Sequence, residues 1–134
     1  MDHTLRCNVL KCRKELNDHA VVTTCWYAEA SHVIYLPLTF RSHVFCIDCS
    51  NRCQLSGQRD SQRPICPACD MQLMNPDDVV VATLNPTDDY KTSVLSGLNP
   101  NVIMECAGRA LNFWAYQTMQ EMSVGEALVR PVLR

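Results

Sequence analysis

Two Cys-x-x-Cys pairs, Cys46-Ile-Asp-Cys49 and Cys66-Pro-Ala-Cys69, are the strongest chemical signal in this chain of 134 residues. A pair at this spacing wraps a tight turn that lets both thiolates face one tetrahedral metal at about 2.3 Å. Upstream stand Cys7-Asn-Val-Leu-Lys-Cys12, Cys25 and His43. These are enough ligands for two zinc ions held by four side chains each. Interleaving the pairs assigns Cys7, Cys12, Cys46 and Cys49 to one ion and Cys25, His43, Cys66 and Cys69 to the other. All positions would be filled by protein, leaving none for water, so the metal is structural. Zinc hydrolase and deaminase chemistry, which needs an open position, is excluded. No His-x-Glu element accompanies the Pro-Cys-x-x-Cys of a deaminase either.

Other residues compete for these roles. Cys53 follows Cys49 by four residues, but the two-residue spacer from Cys46 favours Cys49. His19 falls in the polar turn Asn17-Asp18-His19 and reads as solvent-exposed. Cys106 lies on the apolar face of a helix and reads as a small core residue. No nucleophile and base stand together, so the site residues include no catalytic group.

Bulk composition narrows the classes further. A net charge of −2 and a pI near 6.0 leave no electrostatic footprint for nucleic acid. The polar, charged stretch from Met1 to Lys14 has no apolar core of a signal peptide. No run approaches the roughly 18 apolar residues of a membrane span. Nine cysteines without a secretory signal point to metal-bound thiolates in a reducing compartment instead of disulfides.

The elements that must position the ligands are short. Val21, Val22, Thr23 and Thr24 are β-branched and predict a strand leading into Cys25. Seventeen residues, Trp26 to Ser42, then separate Cys25 from His43. Cross-braced modules place only a few there, so Trp26 to Arg41 reads as an insertion. It is either a loop, which closes at modest entropic cost, or non-coding sequence carried into the reading frame. His32 within it is a weaker substitute ligand. Gly57 and Ser50, Ser56 and Ser61 mark the stretch between the two Cys-x-x-Cys pairs as loop. Asp77 to Leu84 predicts a strand. Asn85-Pro86-Thr87-Asp88 predicts a helix start with Asn85 as its cap, ending at Gly97. Asn99-Pro100 starts a second helix whose apolar residues run through Phe113 and Trp114. That face should be buried against another helix or a second copy of the chain, so self-association is possible. Gly125 and Pro131 predict an irregular tail over 123–134. The organisation expected is a zinc module over 1–75 with the insertion at 26–41, then a strand and helices over 76–122.

The order Cys-x4-Cys, Cys, His-x2-Cys-x2-Cys, Cys-Pro-x-Cys resembles a RING finger, the zinc module of many ubiquitin and SUMO ligases. Thr23-Thr24-Cys25, Ser42-His43-Val44-Phe45-Cys46 and Ile65-Cys66-Pro67-Ala68-Cys69 are similar to the cyclin-B-interacting RING ligases of meiotic crossover formation. So are Leu84-Asn85-Pro86-Thr87-Asp88-Asp89-Tyr90-Lys91, Val94 to Pro100, and Arg109-Ala110-Leu111-Asn112-Phe113-Trp114-Ala115-Tyr116-Gln117. The resemblance covers roughly 5–25 and 42–121. It implies a small α+β cross-brace RING finger binding two zinc ions, followed by two α-helices, here without the family's coiled-coil continuation. It further implies an E3 that recruits an E2 conjugating enzyme and positions ubiquitin or SUMO for transfer to a substrate lysine. Val9, Leu10 and Pro67 occupy the E2-binding positions. A nuclear, chromosome-associated location and meiotic chromosome or cyclin-type partners are implied as well, with no direct nucleic acid and no membrane contact. The alternative is a non-catalytic zinc scaffold at meiotic chromosomes. Asp70 departs from the basic residue that many active RINGs place after the last ligand, which implies weak intrinsic activity or reliance on a partner.

Overall fold

A computed structural model of the chain describes residues 4–26, 40–55 and 63–129, and of Trp26, Phe40, Arg41 and 122–129 the backbone only. The chain divides into two compact units, Met1–Asn85 and Pro86–Arg134.

The first unit is built on a three-stranded antiparallel sheet. Its strands are β1 (His19–Trp26), β2 (Phe40–Phe45) and β3 (Val79–Thr83), in the order β2-β1-β3. A short helix α1 (Ile47–Arg52) follows β2 directly. β1 alternates as a half-covered strand should: Val21, Thr23 and Cys25 are buried while Val22 and Thr24 are half-exposed. With β2 it pairs Val21 to Phe45, Thr23 to His43 and Trp26 to Phe40. Leu16, Ala20, Val21, Val44, Phe45, Leu55 and Leu73 form the small apolar core, together with buried cysteines. An apolar centre this modest needs a further source of order.

Several expectations change here. β3 pairs with β1, Val21 opposite Val81 and Thr23 opposite Val79, so the zinc unit extends to Asn85 instead of ending at 75. A run of three valines is stable as a strand only with a partner, and the second edge of β1 supplies one. Asp77 and Asp78 precede that strand in a 3-10 turn, Pro76–Asp78. Ser50 lies in α1, not in a loop. The strand ends at Trp26 and Phe40 belong to what reads in sequence as the insertion. Residues 27–39, including His32, lie outside the described residues.

The second unit holds α2 (Asp88–Ser93) and α3 (Pro100–Val129). Thr87, not Asn85, caps α2: its hydroxyl accepts from the Tyr90 N–H, and Asp88 and Asp89 occupy the first turn. Asn85 instead donates its side-chain amide to the Asn17 carbonyl within the first unit. Gly97 takes φ +91 in the turn between the helices, a conformation that suits glycine. Asn99 accepts from the Val102 N–H and starts α3 as expected. α3 does not stop at 122: it continues through Gly125 to Val129. One glycine costs a helix about 1 kcal/mol, which an established helix with Glu126, Ala127 and Leu128 beyond it absorbs. Phe113 and Trp114 are half-buried, whereas Met104, Leu111 and Met119 are largely exposed. No described helix is long and apolar enough to cross a membrane.

Candidate metal centres

The turns Cys7 to Cys12 and Cys66 to Cys69 are knuckles built the same way. In the first, the Cys7 N–H donates to the Lys14 carbonyl and an antiparallel bridge joins Arg6 to Glu15. In the second, the Cys66 N–H donates to the Met71 carbonyl and a bridge joins Ile65 to Gln72. The residue after the last cysteine turns left-handed in both: Arg13 at φ 54 and Asp70 at φ 61. Asp is among the side chains that tolerate this region best. At Arg13 the guanidinium donates to the Cys7 carbonyl across the knuckle.

The interleaving brings the ligands together. Cys7, Cys12, Cys46 and Cys49 form one cluster, and Cys25, His43, Cys66 and Cys69 the other, each with ligand atoms within 4.8 Å of one another. A tetrahedron with Zn–S bonds of about 2.3 Å has S···S edges of about 3.8 Å, and one Zn–N bond near 2.05 Å gives S···N edges of about 3.6 Å. Cys12 Sγ and Cys46 Sγ are 3.8 Å apart. His43 Nδ1 lies 3.6 Å from Cys25 Sγ and 3.5 Å from Cys66 Sγ. These separations are tetrahedral edges, and the soft thiolate and imidazole donors suit zinc. Both sites fit a Zn2+ ion, two per chain.

Local structure explains the placement. Thr23 and His43 are directly opposed, so Cys25 and His43 are diagonal neighbours on one face of the hairpin. Cys46 caps α1, its sulfur accepting from the Cys49 N–H at 3.4 Å, so one turn aims both thiols at the first ion. Cys53 sits exposed at the other end of α1, outside the cluster. Cys106 is exposed on α3 and is not the core residue its helical position suggested.

Without a cation the thiols oppose one another's ionisation. Neighbouring Cys66 and then burial push Cys25 far up, and burial followed by Cys46, Cys12 and Cys7 does the same to Cys49. Burial also raises Cys7 and Cys69. Cys66 is shifted the other way, held down to about 3 by hydrogen bonding from Cys25, then His43 and Thr23. Cys12 is lowered by the Lys14 backbone N–H. Ionising every thiol therefore requires a dication, and metal uptake releases protons.

Two neighbours escaped the sequence reading. Thr23 is fully buried, its hydroxyl 3.5 Å from both Cys25 Sγ and Cys66 Sγ. Arg52 places a guanidinium nitrogen 3.4 Å from Cys49 Sγ. Their spacing was the available signal: Thr23 is two residues before Cys25 on a strand, Arg52 three after Cys49 on a helix. Of the predicted E2-binding residues, Leu10 is 72% exposed at the tip of the first knuckle, and Val9 and Pro67 are half-buried.

Two interleaved zinc-binding clusters carried by a small sheet and one short helix define a RING-type cross-brace. The chain is 38% identical over 117 residues to the mouse (Mus musculus) protein named E3 ubiquitin-protein ligase CCNB1IP1, and 37% identical to that of Homo sapiens. A homologue from Oryza sativa subsp. japonica is 26% identical over 118 residues. Over the stretch they share, the chain is similar to these CCNB1IP1 proteins. These matches cover 87% of this chain but 35% of the mouse and human proteins, so the chain spans about a third of the length of the curated relatives it matches. No protein-family model matches the chain, and no solved structure does.

Proposed function

We propose that the chain acts as the E2-recruiting RING module of an E3 ubiquitin ligase. The observation that carries this reading is Leu10. A large aliphatic side chain 72% exposed on a knuckle whose backbone the metal fixes is costly for solubility and useful for docking. Pro67 directly follows the first cysteine of the second knuckle and is half-buried. Relatives named as E3 ubiquitin-protein ligases support the same activity. With closed metal sites the module forms no covalent intermediate; it holds a charged E2 so that transfer to a lysine is favoured by proximity. Ubiquitin is the modifier the relatives' names favour, with SUMO as the alternative outcome. Family resemblance extends the proposal to meiotic crossover formation in the nucleus, at chromosomes and with cyclin-type partners. Leu10→Ala and Pro67→Ala should each keep two zincs while weakening E2 binding about tenfold or more, read by titration calorimetry. Unchanged affinity in both rejects the reading.

Asp70 favours a second reading, a zinc scaffold with little ligase activity of its own. The exposed carboxylate stands after the last ligand, where a basic residue would contact the E2–ubiquitin conjugate. Arg13 adopts the same left-handed conformation in the first knuckle, so an arginine is sterically acceptable there. Asp70→Arg should raise ubiquitin discharge severalfold if the chain is a weakened ligase. It should leave discharge at background if the chain is a scaffold.

A further inference from the structure

The proposed docking face is bipartite: Val9 and Leu10 belong to the first knuckle, Pro67 to the second. Affinity then depends on how firmly the two knuckles are held relative to each other. The first ion ties its knuckle to α1 and the second ties its knuckle to the hairpin of β1 and β2, so the metals link the two knuckles only by way of those elements. Asn8, the residue between Cys7 and Val9, adds a direct connection from the first knuckle to β2. Its backbone N–H donates to the Val44 carbonyl at 2.8 Å, and its side-chain Oδ1 accepts from the Val44 N–H at 2.8 Å. Its Nδ2 reaches the Arg6 carbonyl at 3.4 Å, which fixes the orientation of the amide. One residue thus satisfies both outward-facing backbone groups of Val44, as a neighbouring strand would.

Val44 is buried in β2 immediately after His43, a ligand of the second cluster, and two residues before Cys46, a ligand of the first. The pin therefore ties the Leu10 knuckle to the strand on which the Pro67 cluster is assembled. We infer that Asn8 is a positioning residue that holds the two halves of the docking face in fixed relation, so that the E2 meets a preorganised surface. This inference rests on the E2-docking reading for its functional consequence, but not for the pin itself.

The test uses the zinc-loaded chain, with amide exchange at Val44 and E2-concentration dependence of ubiquitin discharge. Asn8→Ala removes the acceptor and should speed Val44 exchange. It should also raise the E2 concentration for half-saturation severalfold, because docking must then order the freed knuckle. Zinc content and the rate at saturating E2 should stay unchanged, because neither ligands nor docking side chains are altered. Asn8→Asp keeps an acceptor for the Val44 N–H and should restore most of the exchange protection and most of the E2 affinity. Unchanged Val44 exchange in Asn8→Ala overturns the pin. Faster exchange with unchanged half-saturation, while Leu10→Ala still weakens E2 binding, overturns the positioning role. If neither Leu10→Ala nor Asn8→Ala affects E2 binding, the docking reading fails and the functional inference fails with it. Val44 exchange then still decides whether the pin exists.

Discussion

The two metal clusters use the same tetrahedral geometry but rest on different supports. The first joins a knuckle to the first turn of α1, and Arg52 places a cation against Cys49. The second joins a knuckle to a β-hairpin. Cys25 and His43 are fixed there by strand register, and neutral Thr23 lies against two of the sulfurs. Four thiolates on a dication leave two excess negative charges, whereas three thiolates and an imidazole leave one. A guanidinium beside the first and a hydroxyl beside the second match that difference. The hairpin also explains why the long segment after Cys25 does not disrupt its cluster. Pairing continues past the ligands to Trp26 and Phe40, so the extra chain departs from the far end of an already closed ladder.

Ligand removal should break this comparison most severely. Cys12 is half-exposed at the end of its knuckle, whereas Cys25 is buried in the central strand. Cys12→Ser should leave one zinc and a protected sheet, while Cys25→Ser should expose the β1 and β2 amides to rapid exchange. Structural zinc is worth about 10 kcal/mol or more to a small module, so the second loss should approach unfolding of the first unit. Equal effects at the two positions would mean that the supports do not differ.

Shortening the hairpin is a milder intervention. Replacing 27–39 by Asn-Gly should close β1 and β2 through a two-residue turn and keep two zincs. Stability should rise by about 1–2 kcal/mol from the shorter loop, read by denaturant unfolding. Loss of zinc would show that the second cluster depends on the replaced residues.

The smallest effects should come from the neighbours of the sulfurs. Thr23→Val keeps the shape of the side chain and removes the hydroxyl; Arg52→Ala removes the cation. Each should change metal affinity about tenfold at its own cluster and little at the other, measured by chelator competition. A shift at both clusters from either variant would dissolve the distinction.

The ligands were legible because Cys-x-x-Cys chemistry is local: Cys46 to Cys49 and Cys66 to Cys69 declare themselves by spacing, while Cys7 to Cys12, with its longer spacer, reads as a ligand pair only because it stands ahead of them. Their division between two ions followed from interleaving, and the structure has that division. β3 was legible as a strand but not as part of the zinc unit, because Val79–Thr83 carries no mark of which edge it joins. The cap of α2 was misplaced since Asn85 and Thr87 are both good caps, and the tertiary bond from Asn85 to Asn17 decided between them. Asn8 was invisible as a pin, for its partner Val44 lies thirty-six residues away.

The most direct measurement of the central claim is the mass of the purified, folded chain under native conditions, together with its free-thiol count after denaturation. Two zinc ions per chain and nine reducible-free, unpaired cysteines are the predicted result. A folded chain carrying no zinc, or one whose ligand cysteines are paired as disulfides, would contradict it.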